Sequence, residues 1–258
     1  MCYEDYFISK YLNGKENLKM LSIGCGNGSH ERKFALYPQF SLIEGIDFAS
    51  GKIEEARKLA AEQNLNNIKY HAGDFFQQQF GTDSYDIILF NSSLHHFDDM
   101  DNFLKTKIAP LLTREGYLII FEYVGPNRLQ WQPQQLAFAR ELLIKLPVKF
   151  RMRAGSNALK NNIYRPGLLR MLLVDPSEAI DAEMILPAIH KHFETLEEKQ
   201  VGGNILHILL KDIAHNFIDD NPETLKILHY LFEKEDELSP KMEVAISFSV
   251  YTKNYSEV

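Results

Sequence analysis

The chain has 258 residues, of which 45% are hydrophobic and 24% are charged, and this length and composition indicate a globular protein that can bury a full core. Its formal net charge of −7 argues against a general nucleic-acid binder, because such proteins usually present a basic surface. The two cysteines, Cys2 and Cys25, cannot form a disulfide framework, so we expect a reducing, cytoplasmic setting. No run approaches the roughly 18 apolar residues of a membrane helix. We therefore expect neither nucleic acid nor a membrane as a partner.

The first half of the sequence alternates short apolar runs with stretches of helix-forming residues. Strands are predicted at Leu18–Ile23, Ser41–Ile46, Ile68–His71, Tyr85–Phe90 and Tyr117–Phe121. Helices are predicted beside them, at Tyr6–Leu12, Ser29–Tyr37, Lys52–Gln63 and Met100–Leu112. This alternation is typical of βαβ units, whose strands are parallel and whose crossovers are right-handed.

After Val124 the alternation stops, since prolines and glycines interrupt the chain and helices follow one another. Helices are predicted at Gln134–Leu146, Gly167–Leu173, Pro187–Phe193, Asn204–Phe217 and Pro222–Glu237, and strands at Phe193–Val201 and Glu243–Thr252. The predicted fold class is α/β, with a doubly wound, mostly parallel seven-stranded sheet. The last strand is expected to be antiparallel, and a helical insertion follows strand five.

A glycine-rich loop follows the first predicted strand. Glycines at 24, 26 and 28 permit a tight turn and a close backbone approach to a ligand, and the next helix offers free N–H groups. Asp47 lies 19 residues after Gly28, at the end of the second strand, where a carboxylate can accept both hydroxyl hydrogens of a ribose. Structural turns also use glycine, but a strand, glycines, a helix and an acid in this order favour a nucleotide-like ligand.

The spacing of the glycines bears on which ligand this is, a dinucleotide or S-adenosylmethionine. The dinucleotide fingerprint has Gly or Ala at its sixth position, where the helix approaches the strand. This chain has Ser29 there, and its third glycine, Gly28, falls one position earlier. The pattern therefore favours a ligand without a pyrophosphate.

Five segments of the sequence resemble the class I S-adenosylmethionine-dependent methyltransferases of the small-molecule type. The matching segments are Leu21–Gly28, Gly45–Ala49, Gly73–Asp74, Tyr85–Phe97 and Leu111–Leu118. The resemblance implies a Rossmann-like fold and S-adenosylmethionine as the cofactor. We therefore predict one domain over residues 1–258, with a cofactor-binding core at 15–125, a helical insertion serving as acceptor lid at 126–190, and C-terminal strands and helices at 191–258.

The resemblance also implies which residues contact the cofactor. They are Gly24, Cys25, Gly26 and Gly28 under the methionine part, Asp47 and Phe48 after the second strand, Asp74 and Phe75 after the third, and Asn91 at the end of the fourth. Asp47 would hold the ribose and Asp74 the adenine amino group. Asp74 could instead cap a helix, and Phe48 and Phe75 could instead be core aromatics.

One position departs from the family's pattern. Many members have an acid two residues before the first glycine, where this chain has Ser22. That acid helps to orient the amino group of the cofactor, so the resemblance supplies no residue for this contact here. The tyrosines of the first helix, Tyr3, Tyr6 and Tyr11, could close over the cofactor or form a packed stripe of that helix.

The ends of the fourth and fifth strands carry the candidates for catalysis, His95, His96 and Glu122. An imidazole there could deprotonate a hydroxyl acceptor near neutral pH, although either ring could simply pack or bond to backbone. Adjacent histidines on a loop rarely converge on a metal without other ligands, so we predict no metal site.

The candidates for acceptor binding follow the fifth strand and continue into the insertion. They are Tyr123, Arg128, Trp131, Tyr164 and Arg165. Tyr164 and Arg165 could bind an anionic group or belong to a structural loop, and Trp131 could be a core or lid anchor.

The predicted function is methyl transfer to oxygen or nitrogen of a small-molecule acceptor, by in-line displacement. Methylation of a protein or RNA is the alternative within the same chemistry. A nicotinamide oxidoreductase and a non-catalytic interaction module are alternatives of other classes. The two C-terminal helices could also form a homodimer face.

Overall fold

Strands and helices alternate in the computed structural model, which describes residues 2–242 and 245–254. Strands β1 to β5 are Leu18–Ile23, Phe40–Asp47, Ile68–Ala72, Tyr85–Asn91 and Leu112–Tyr123. Helices α1 to α4 are Tyr3–Tyr11, Ser29–Ala35, Ser50–Glu62 and Met100–Phe103, and α4 continues as a π-helical turn to Ile108. Each predicted strand and helix of the first half is therefore present.

The rest of the chain contains more helix than strand. Helices α5 to α9 are Pro133–Lys145, Leu168–Val174, Ile185–His192, Leu206–Leu210 and Pro222–Leu238, and strands β6 and β7 are Phe193–Gln200 and Ile246–Lys253. The predicted last strand began at Glu243, and positions 243 and 244 lie outside the described residues. No helix in the described ranges is long and apolar enough to cross a membrane.

The seven strands form one sheet in the order β3-β2-β1-β4-β5-β7-β6. β1 pairs in parallel with β2 and β4, β2 with β3, and β4 with β5. β7 is antiparallel to its neighbours, and the predicted fold class is confirmed. The strand order reverses between β1 and β4, and open α/β sheets bind ligands at the carboxyl ends of strands beside such a reversal.

Helix α1 covers one face of the sheet with aromatic side chains. Phe7 and Leu12 are fully buried, in one core cluster with Met20 of β1 and Ile87 of β4. At roughly 25 cal/mol per Å² of apolar surface, side chains of this size each stabilise the fold by about 2 kcal/mol when fully buried. Burial of this helix therefore fixes its start, which carries Tyr3, close to the sheet.

Contacts divide the chain into two units. The first comprises Met1–Glu122, Met184–Lys199 and Phe248–Val258, and the second comprises Tyr123–Glu183 and Gln200–Ser247. The sequence instead predicted boundaries at 125 and 190, with the C-terminal helices apart from the insertion. The difference arises because α8 packs against α5 and α9, which joins the insertion to the C-terminal helices.

Two local predictions were wrong. The predicted helix Asn204–Phe217 ends at Leu210, and a separate 3₁₀ turn follows at Ala214–Phe217. The ammonium of Lys160 takes the carbonyls of residues 208, 209 and 211, and Asp212 has a positive φ of 67°, so the helix cannot continue. The fifth strand was predicted to begin at Tyr117, but β5 begins at Leu112, and its register against β4 shifts between these two residues.

Candidate active site

The glycine loop is tied to the end of β2 by backbone and side-chain bonds. The amides of Gly24 and Cys25 donate to the carbonyl of Ile46 at 2.8 and 3.0 Å. The carboxylate of Asp47 accepts from the Gly26 amide at 2.7 Å and from the Ala49 amide at 2.8 Å. Each carboxylate oxygen has a second acceptor position. Asp47 can therefore brace the loop and still accept ribose hydroxyls.

Two glycines of the loop serve different ends. Both have positive φ, 55° at Gly26 and 71° at Gly28, which disfavours other residues. A Cβ on Gly28 would lie 2.2 Å from the hydroxyl oxygen of Tyr70, whereas a Cβ on Gly26 would meet nothing closer than Lys52 at 4.0 Å. Gly28 is thus required by packing, while Gly26 faces open space that a bound cofactor can occupy.

The thiol of Cys25 is unsuited to chemistry of its own. Cys25 is a free, half-buried cysteine in the loop. Burial raises the pKa of its thiol, and the charges of Glu31 and Asp47 raise the pKa further. The thiol stays protonated at neutral pH, so Cys25 is a packing residue of the loop with its backbone available to a ligand.

The predicted adenine contacts lie at the end of β3. Asp74 caps a short 3₁₀ helix, since its Oδ1 accepts from the Phe76 amide at 2.9 Å. The sequence offered helix capping as the alternative role of Asp74. Among the described residues Oδ2 has no hydrogen-bond partner, so it can accept from a ligand. Phe75 is partly buried and stacks on Phe80. Phe48 is 83% exposed, so it is no core residue, and its ring is available to a flat ligand.

The end of β4 meets the start of α1. The Tyr3 hydroxyl donates to Asn91 Oδ1 at 3.0 Å, and the Tyr3 ring stacks on Phe121 at 5.3 Å between centroids. Tyr6 and Tyr11 instead donate to Glu197 at 2.7 and 2.9 Å. Only Tyr3 of the three tyrosines therefore contacts a predicted cofactor residue.

A buried carboxylate organises the loop after β4. Glu122 is fully buried, and its Oε2 accepts from the amides of Ser93 at 2.8 Å and Leu94 at 2.6 Å. Its Oε1 bonds to Nδ1 of the buried His95. The Ser93 hydroxyl donates to the Ile23 carbonyl at 2.6 Å, which ties this loop to β1. Glu122 thus orients the His95 ring, and a catalytic role for Glu122 itself stays a prediction.

His96 differs from His95 although the two rings are 4.4 Å apart. Its side chain is exposed, whereas His95 is 7% exposed. Glu122 is the third member of the predicted catalytic set, and its Oε1 bonds to Nδ1 of His95. This bond gives the buried His95 ring a fixed orientation.

The second unit contains a cavity of about 550 Å³. Three of the predicted acceptor residues line it, namely Trp131, Tyr164 and Arg165. The Arg165 Nε donates to the Trp131 carbonyl at 2.6 Å, and Tyr164 is 71% exposed. The structure thus brings together residues that lie more than 30 positions apart in the sequence.

Two of the predicted acceptor residues bond to carbonyls of their own unit, and their role in acceptor binding stays a prediction. The Tyr123 hydroxyl donates to the Pro126 carbonyl at 2.8 Å and the residue is 6% exposed. Burial raises the pKa of this phenol, and the charges of Glu183 and Glu178 raise it further. Arg128 donates to the carbonyls of Pro176 and Glu178. Both residues hold the fold of their own unit.

Lys160 also lines the cavity, and the sequence analysis did not predict it as a site residue. Lys160 is 4% exposed, and its ammonium donates to three carbonyls around the end of α8 at 2.7 to 3.0 Å. Burial lowers the pKa of the ammonium to about 8, against the opposing charge of Asp212 and together with that of Arg153. No local pattern could reveal it, because its partners lie about 50 residues away.

The doubly wound sheet, the glycine loop and the acid at the end of β2 define an enzyme class that binds an adenosyl cofactor beside the strand-order reversal. The residues present fit such a ligand, since Gly26 leaves open space, Asp47 keeps acceptor positions and the Phe48 ring is exposed. A family model described as a methyltransferase domain matches residues 14–165. The chain belongs to this family of class I methyltransferases, and S-adenosylmethionine is its cofactor.

Individual relatives are distant. The sterol 24-C-methyltransferase of Candida albicans is 24% identical over 161 residues, covering 61% of this chain and 42% of that protein. The aklanonic acid methyltransferase DauC of Streptomyces sp. strain C5 is 34% identical over 87 residues, covering 31% of this chain and 37% of that protein. The chain thus spans about two fifths of the length of the curated relatives it matches.

Solved structures share the fold along nearly the whole chain. The geranyl diphosphate C-methyltransferase of Streptomyces coelicolor A3(2) superposes with a TM-score of 0.57 at 10% identity, covering 98% of this chain and 80% of that one. At this identity the likeness shows the fold alone.

Proposed function

We propose that the protein transfers the methyl group of S-adenosylmethionine to an oxygen or nitrogen of a small-molecule acceptor that carries an anionic group. The observation that carries this proposal is the set of hydrogen bonds that connect the carboxyl ends of the strands and the loops after them. Asp47 holds the glycine loop, Ser93 ties the loop after β4 to β1, and Glu122 orients His95 beside them. A cofactor-binding loop and an oriented imidazole therefore belong to one edge of one sheet.

Methyl transfer needs alignment and, for many acceptors, removal of a proton. The cofactor supplies an electrophilic methyl group on a sulfonium. Alignment and exclusion of water account for much of the acceleration in such displacements. Nδ1 of His95 faces the Glu122 carboxylate, so the proposal assigns removal of the acceptor proton to Nε2. The carboxylate would then stabilise the imidazolium, as in other histidine–carboxylate pairs.

The walls of the cavity in the second unit support an anionic acceptor. Five basic side chains line it, Arg153, Lys160, Arg165, Arg170 and Lys211, against three acids, Asp175, Glu178 and Asp212. Arg153 pairs with Asp212 at 2.9 Å. Arg170 and Lys211 have no hydrogen-bond or ion-pair partner for their side chains in the described part of the chain. This excess of basic side chains is opposite in sign to the net charge of the protein. The guanidinium group of arginine can donate two parallel hydrogen bonds to a carboxylate or a phosphate.

The apolar part of the same cavity suits a carbon skeleton. Trp131, Ile163, Met171 and Ile208 contribute apolar wall. DauC is named as a methyltransferase of an acid, aklanonic acid, which agrees with an acidic acceptor. The proposed acceptor therefore combines an apolar body with one carboxylate or phosphate.

The experiment is an assay for release of S-adenosylhomocysteine with a panel of acidic and matched neutral small molecules. We expect turnover with acidic aromatic or polyketide-like acceptors and little with their methyl esters. Mass spectrometry of the product then shows whether oxygen, nitrogen or carbon is methylated. Turnover of the neutral panel alone would contradict the proposed acceptor class but leave methyl transfer standing.

Two further expectations remain proposals. We propose a cytoplasmic location, because Cys2 and Cys25 are both free thiols. A homodimer formed through α8 and α9 stays a prediction, and light scattering of the purified protein tests it.

A further inference from the structure

A glutamate with one unsatisfied oxygen lies beside the glycine loop. Glu31 of α2 is 1% exposed, and its Oε1 accepts the Ser22 hydroxyl hydrogen at 2.5 Å. Its Oε2 is buried and has no hydrogen-bond partner. A buried carboxyl oxygen without a partner is costly, so a group of this kind usually has a ligand or a counter-charge to meet.

No described side chain bonds to Oε2, although the charges of His30 and Arg32 act to lower the pKa of the Glu31 carboxyl. The two cationic neighbours of Glu31 in the sequence are bonded elsewhere. His30 Nδ1 bonds to Glu4 at 2.7 Å, and Arg32 donates to the carbonyl of Asn27. Burial raises the pKa of the Glu31 carboxyl, and the Ser22 bond only partly opposes this.

The surroundings of the carboxyl place it at the cofactor loop. Ser22 is the residue two positions before Gly24, on β1. The charge of Glu31 adds to burial in raising the pKa values of Cys25 in the loop and of Tyr3 in α1. Tyr3 in turn bonds to Asn91. The carboxyl thus lies among groups from the loop, α1 and the end of β1.

We propose that Glu31 binds the amino group of the methionine part of S-adenosylmethionine and that Ser22 positions it. The ammonium offers three N–H donors, and a bond to Oε2 would be charge-assisted. Ser22 lies on β1 two positions before Gly24, and its hydroxyl bonds to a carboxyl from α2 at that position. Because the Glu31 carboxyl is buried in the structure, the residues that bury it must move when the amino group binds. The inference rests on the cofactor and is independent of the acceptor.

The test compares two ligands by calorimetric titration. S-adenosylhomocysteine carries the amino group, whereas 5′-methylthioadenosine shares the adenosine and thioether but lacks the amino acid. We expect Glu31→Gln to weaken S-adenosylhomocysteine binding roughly 10- to 100-fold, as for loss of a hydrogen bond between charged groups. The affinity for 5′-methylthioadenosine should change by no more than about twofold, because this ligand lacks the amino group. A loss confined to S-adenosylhomocysteine excludes general damage to the loop.

Controls separate a binding role from a structural one. Glu55→Gln changes an exposed glutamate of α3 and should change neither affinity. Ser22→Glu added to Glu31→Gln returns an acid to the strand and should restore a large part of the lost affinity.

Three results would overturn the proposal. One is an equal loss of both ligands in Glu31→Gln, which would make Glu31 a structural residue. Another is an unchanged affinity for S-adenosylhomocysteine. Failure of the unaltered, folded protein to bind either ligand would instead remove the cofactor assignment itself, and Glu31 with it.

Discussion

The strand ends of the first unit and the cavity of the second unit are built in different ways. In the first unit, backbone amides hold the functional side chains, as Gly26 holds Asp47 and Ser93 holds Glu122. In the second unit, long side chains reach distant carbonyls, as Lys160 and Arg165 do. Positions fixed by parallel strand pairing allow few substitutions, whereas cavity walls on loops allow many. The difference explains how one cofactor site can serve chains with different acceptors.

The largest expected effect concerns the oriented imidazole. His95→Gln should lower kcat roughly 100- to 10,000-fold, the usual contribution of a general base. Affinity for S-adenosylhomocysteine should change little. His96→Gln is the matched control and should lower kcat less than about 10-fold, since its side chain is exposed to solvent. Equal losses in the two variants would remove the distinction between the histidines.

Two glycine substitutions contrast the units directly. Gly28 and Gly155 have φ of 71° and 68°, but a Cβ on Gly155 would meet nothing within 4 Å. Gly28→Ala should lower the free energy of unfolding by about 3 kcal/mol, from backbone strain and the clash with Tyr70. Gly155→Ala should cost only the strain, about 1 kcal/mol. Urea unfolding measures both, and equal values would contradict the packing role of Gly28.

A cavity variant tests the tolerance of the second unit. Arg170→Met should raise the KM for an acidic acceptor roughly 10-fold, as for a partly exposed charge-assisted bond. The KM for S-adenosylmethionine should stay unchanged, because Arg170 belongs to the cavity. Arg114→Met, an exposed change on β5, serves as the control. An unchanged acceptor KM would separate this cavity from acceptor binding.

The smallest expected effect is in the pH dependence of stability. The pKa of Lys160 is about 8 in the folded protein, below its ordinary 10.5. Between these values the unfolded chain binds more protons, so the free energy of unfolding rises with pH. We expect a rise of about 1 kcal/mol between pH 8 and 9 that is absent in Lys160→Met. Lys211→Met changes an exposed lysine and should retain the rise in the free energy of unfolding. If Lys160→Met showed the same rise as the unaltered protein, Lys160 would not be its source.

The sequence predicts the first unit well because its signals are local. Leu18–Ile23, the glycines after it and Asp47 lie close together in the chain, and parallel pairing brings their ends to one edge. The order of strands and the antiparallel last strand follow from the same pattern once the family is recognised.

The sequence fails where contacts are long-range. The break after Leu210 depends on Lys160, and the two-part second unit depends on α8 packing against α5. A sequence signal for Glu31 exists. Ser22 stands where the resemblance leads one to expect an acid, and Glu31 is the first acid after it, on the helix that follows the glycine loop.

Titration of the purified protein with S-adenosylhomocysteine, repeated on Asp47→Ala, tests the central claim most directly. We predict saturable one-site binding that falls roughly 100-fold in the variant, because the loop brace and the ribose acceptor are lost together. NADH should not bind. A folded protein that binds NADH, or that binds neither S-adenosylhomocysteine nor NADH, would contradict the account.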